Sequence, residues 1–129
     1  MENTTKELKS KELTAEYNLQ MEKSEVRLEE LHVRKKSIEK CCDEINDFLT
    51  STKQKIIEHQ HELAQVNSYE DFELFQQFEE ELNNDCQKAE AALLDEREET
   101  ERERKKIFSE REKIEKEYRN AMLALDEAQ

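Results

Sequence analysis

The chain has 129 residues with no Gly, no Pro and no Trp, 43% of them charged, and a net charge of −13. Without Gly and Pro it lacks the residues that build compact loops, which sets aside β-sandwiches and mixed α/β folds. The acidic balance argues against nucleic acid and against anionic membrane surfaces, and it points to protein partners with basic or apolar groove surfaces.

At the N-terminus, Thr4-Thr5-Lys6-Glu7 fits a capping box, so a first helix is expected to start near residue 4 and to run to about 66. Its heptads are regular. With a positions at Met21, Leu28, Lys35, Cys42, Leu49, Ile56 and Leu63, the d positions are Ser24, Leu31, Ile38, Ile45, Thr52, His59 and Val66. Ten of these fourteen are apolar, a seam sustained long enough to read as coiled coil and not as a disordered acidic chain. Tyr17 continues the d row upstream, whereas Leu8 and Leu13 fall off phase. No run reaches a membrane span and no signal-peptide core is visible, so a cytoplasmic protein is expected. Cys41, Cys42 and Cys86 are odd in number and not at metal spacing, which fits buried thiols in a reducing compartment.

The stretch Asn67-Ser68-Tyr69-Glu70-Asp71 nearly bisects the chain and is its best turn. A second helix, about 70–128, carries Phe72, Phe75, Leu82, Cys86, Ala89 and Leu93 on one stripe. The stripe resumes as Ile107, Ile114, Tyr118, Ala121, Leu125 and Ala128, with an expected slip of phase across DEREETERERKK, residues 95–106, where nothing is apolar. Within that stretch Glu98–Arg102 and Glu101–Lys105 are oriented as i,i+4 pairs.

Folding the chain at 67–68 places residue i opposite about 136 − i. Arg34, Lys35 and Lys36 then face Glu98, Glu99, Glu101 and Glu103 as an inter-arm charge layer, Thr52 falls near Asn84, and His59 near Gln77. Leu8 and Leu13 would meet Ala128 and Leu123. The fold class expected is therefore all-α, a long antiparallel two-helix coiled-coil hairpin forming a single unit. The alternatives are a parallel dimer of continuous helices, making a homodimer, and a three-helix bundle with extra turns at residues 50–52 and 83–85.

Two ends stand out as partner-binding surfaces. Tyr69, Phe72, Leu74, Phe75 and Phe78 crowd the turn, where they either seal the hairpin or anchor a partner. Leu8, Leu13, Met122, Leu123 and Leu125 gather at the open end. His59 and His61 sit two apart and do not share a helix face, so no metal site is expected. There is no phosphate loop and no nucleophile elbow, so no catalytic residue and no cofactor is expected. The function expected is that of an adaptor, spacer or scaffold. In length and architecture the chain is also similar to the small helical-hairpin stalks of flagellar and type III export ATPases. That resemblance implies a stalk or chaperone role, with residues 107–125 bearing on a basic ring.

Overall fold

The computed structural model describes residues 2–66 and 69–127, without the side chains of residues 2, 3, 63 and 66. It is entirely helical: α1 spans Glu2–Val66 and α2 spans Tyr69–Glu127, packed against each other as a hairpin. The helix starts before the expected cap, so Thr4 and Thr5 lie inside its first turns. The turn at Asn67-Ser68, and Ala128 at the open end, lie outside the described residues. Residues 50–52 and 83–85 are helical, which removes the three-helix alternative. A packed intrachain hairpin likewise replaces the parallel dimer of continuous helices.

The packing resolves into two compact units. The open-end unit comprises residues 1–34 and 99–129, and the turn-end unit comprises residues 35–98. In the open-end unit the α1 seam is closed by Ser24 and Leu31, with Met21 and Leu28 on the a row half-buried, as the heptad requires. Upstream the same phase continues through Ser10, Thr14 and Tyr17, all half-buried. Beyond Tyr17 the seam there is polar, which is why Ser10 and Thr14 leave no apolar trace in the sequence. Leu8, off phase, is exposed. In the turn-end unit Ile38 and Ile56 are buried and Lys35, Cys42, Ile45, Leu49 and Thr52 half-buried, again on the a and d rows. His59 departs from the row and is exposed.

On α2 the expected slip of phase is confined to one of the two seam rows. Cys86, Leu93, Thr100, Ile107, Ile114 and Ala121 follow one another at seven-residue intervals, each buried or half-buried. Thr100 is only 3% exposed, so the seam position inside the charged stretch is held by a β-branched polar residue. The companion row does change. It stands three residues ahead at Phe72/Phe75 and four ahead at Ile107/Arg111, Ile114/Tyr118 and Ala121/Leu125. Both steps keep a residue on one helix face, so the seam bends its pattern without breaking.

The expected local pairs also differ. Glu101 accepts from Arg104 at 3.3 Å, an i,i+3 pair, in place of Glu101–Lys105. Arg104 also lies over the Phe108 ring, 5.3 Å from its centroid.

Candidate functional site

The open-end unit holds a polar ladder. Thr14 Oγ1 donates to the Ser10 carbonyl at 2.8 Å, one turn back along α1. A hydroxyl has a single proton, so the 2.9 Å contact between Thr14 Oγ1 and Tyr118 Oη has the tyrosine as donor. Ser10 Oγ approaches Met122 Sδ at 3.8 Å. Tyr17 stacks on Tyr118 with centroids 4.3 Å apart and planes 15° from parallel, and its hydroxyl reaches Glu115 Oε1 at 3.4 Å. Loss of hydration, followed by the Glu115 charge and that hydrogen bond, raises the Tyr17 pKa against the opposing charges of Arg119 and Arg111. Ion pairs across the helices flank the ladder: Lys6–Asp126 at 3.6 Å, Arg27–Glu110 at 3.1 Å and Glu25–Arg111 at 3.7 Å.

These contacts test the register. Glu25–Arg111 falls on it and Arg27–Glu110 within one residue. Towards the open end, Thr14 meets Tyr118 and not residue 122, an offset of about one turn, the step that returns a helix to the same face. Near the turn, His59 stacks on Phe75 with centroids 5.6 Å apart, two residues from the Gln77 expected opposite it. A flat imidazole fits against a ring better than against an amide chain.

The candidate site residues separate accordingly. Of the open-end group, Met122 is half-buried and taken up by Ser10, Leu13 and Leu125 are half-buried, and Leu8 and Leu123 are exposed, so the Leu123 expected opposite Leu13 does not bury itself against it. Leu13 and Leu125, with Ala121, Ala124, Lys9, Glu12 and Glu16, line a shallow cavity of about 420 Å³. At the turn end, Phe72 and Phe75 are half-buried while Tyr69, Leu74 and Phe78 are 73%, 62% and 51% exposed. The aromatic cluster is thus divided, part of it sealing the hairpin and part facing outwards.

The charge layer is not realised as ion pairs among the described residues. In the open-end unit Arg34 is half-buried and forms none with Glu99, Glu101 or Glu103; in the turn-end unit Lys35 and Lys36 form none with Glu98. The depth of the seam there is set by Leu31 and Thr100 in one unit and by Ile38 in the other. Lys35 keeps its seam position half-buried, as a lysine does when its methylenes pack and its ammonium reaches water.

The turn-end unit contains a feature the heptads do not announce. An open trough of about 790 Å³ runs along one flank, lined by Ile45 from α1 and by Leu82, Cys86, Ala89, Ala92 and Leu93 from α2. Cys41 and Phe48 form its α1 wall, and its charged lining residues, Glu44, Asp85 and Glu96, are all acidic. It exists because Ala89 and Ala92 put methyl groups where a longer side chain would fill the space. Phe48 off the seam and a small residue at 92 were the available signals, but only the pairing of the helices brings them together.

Cys41, Cys42 and Cys86 are free thiols, of which only Cys86 is buried. His59 Nδ1 lies 3.6 Å from Glu62 on its own helix. Among the described residues no group of three or more His, Cys, Asp or Glu is placed to hold a metal, and no helix is long and apolar enough to cross a membrane. Comparison with protein-family models, curated proteins and solved structures finds no match to this chain.

Proposed function

We propose that the chain is a non-enzymatic coiled-coil interaction protein, an adaptor, spacer or scaffold whose turn end binds another protein. The observation that carries this reading is the outward exposure of Tyr69, Leu74 and Phe78 in the first three turns of α2. Large side chains held on a rigid helix lose little freedom on binding and serve as anchors. The three free thiols fit a reducing, cytoplasmic compartment.

The double variant Tyr69→Ser, Leu74→Ser tests it. Both side chains are exposed, so the melting temperature should stay within about 2 °C of the parent. Partners cross-linked to the full chain in cell extract should fall about tenfold in recovery, as expected when an anchor pair is removed. Unchanged recovery would remove the turn end as the binding surface.

A further inference from the structure

We propose that the trough on the turn-end unit docks an amphipathic helix of another protein, one whose apolar stripe is flanked by lysine and arginine. The inference rests on the chain being an interaction element, but not on Tyr69 being its anchor.

Shape selects a helix. The trough is open and runs along the two helices, with Ile45 and Phe48 on one side and Leu82, Ala89, Ala92 and Leu93 on the other. On α2 the same helix face carries Leu74 and Phe78, both exposed, about two turns and one turn before Leu82. At 3.6 residues per turn these positions fall within a narrow stripe. From Leu74 to Leu93 it extends about 28 Å, the length of a helix of about 20 residues. A small ligand would instead need polar groups converging on one point, whereas the charged groups here lie along the lining. A third helix laid in the trough would meet small residues beneath it and Phe48 beside it, the arrangement by which apolar helix faces bind in grooves.

Charge selects the partner. The turn-end unit holds seven basic and seventeen acidic residues, a net of −10. The open-end unit holds fourteen and seventeen, a net of −3, so most of the chain's −13 lies on the unit that bears the trough. Residues 69–98 of α2 alone carry eleven acidic and two basic residues. Two such units facing each other would bring like charges together, which disfavours a second copy as the occupant. Basic flanks on an incoming helix would meet Glu44 and Asp85 on opposite walls.

The probe is a synthetic helical peptide of about 21 residues, with leucine at coiled-coil spacing and lysine on both flanks. A second peptide carries glutamate in place of each lysine. Binding to the full chain is read by fluorescence anisotropy at about 0.15 M salt, where distant charges are screened. The lysine peptide is expected to bind, and the glutamate peptide to bind at least about tenfold more weakly.

A cationic peptide adheres to any acidic rod, so the groove variants are decisive. Ala92→Lys and Phe48→Ala should each weaken binding about tenfold. Asn18→Lys, which adds the same charge at an exposed position in the open-end unit, should change it by less than about twofold. Melting curves of the three variants should superpose on the parent, and Phe48→Ala keeps the test open if Ala92→Lys perturbs folding. Equal loss in Asn18→Lys and Ala92→Lys, or no binding of the lysine peptide, would overturn the proposal. So would a dimer in sedimentation that Ala92→Lys dissociates, since a second copy would then be the occupant. Tyr69 lies outside the stripe and Leu74 within it, so Tyr69→Ser alone reads the turn-end anchor, while Ala92→Lys and Phe48→Ala read this site.

Discussion

Ile107 and Phe108 are neighbours on α2, yet one is 1% exposed and the other stands outside the seam under Arg104. Ile107→Ala should therefore cost about 2–5 kcal/mol, through lost transfer energy and the cavity left behind. Phe108→Ala should stay within about 1 kcal/mol, chiefly its cation–π contact. Urea unfolding of the two variants measures the difference, and equal costs would displace the seam from Ile107. Tyr17 makes a second case, in pH. Its pKa is raised in the folded state, so the proton is held more tightly there than in the unfolded chain. That contribution is fully present below the ordinary tyrosine value of about 10 and is lost as pH rises through the folded value. Tyr17→Phe should lose less stability than the parent above about pH 10. Parallel alkaline declines in the unfolding midpoint would contradict the linkage.

Along each helix the decisive quantity is the row of seam residues. In α1 the regular a and d rows are legible from sequence because leucine, isoleucine and methionine fill most of them. Lys35 is the informative exception: a charged residue on the a row, half-buried. Lys35→Leu should stabilise the protein by about 1 kcal/mol, since an apolar side chain replaces one that must send its charge to water. A melting temperature that is unchanged or lower would mean that Lys35 already rests in a favourable place. Ser10, Thr14 and Thr100 were illegible as seam residues for one shared reason. Heptad reading recognises burial by apolarity, and these positions are buried or half-buried hydroxyls. Thr14 is held there by hydrogen bonds to the Ser10 carbonyl and to Tyr118. The seven-residue interval from Leu93 through Ile107 was the signal that could have located Thr100, had spacing been given precedence over composition.

For the whole molecule, a hairpin satisfies its own seam, and a net charge of −13 opposes self-association. Sedimentation should return the mass of one chain, 15.5 kDa, at micromolar concentration; twice that mass would mean that an apolar surface is covered by a second copy. That the chain folds back on itself was decided by the packed hairpin; sequence alone, which left a parallel dimer and a three-helix bundle open, determined that the chain is helical and that its helices pair through heptads. Those properties depend on local backbone preference and on the spacing of residues along one chain. Only the tertiary structure decided that Thr100 carries the seam through the charged stretch, that Phe75 and not Gln77 meets His59, and that Phe48, Ala89 and Ala92 border one trough. Each depends on which residues of two helices come side by side. A change of about one turn in register alters those neighbours while leaving each helix's pattern intact.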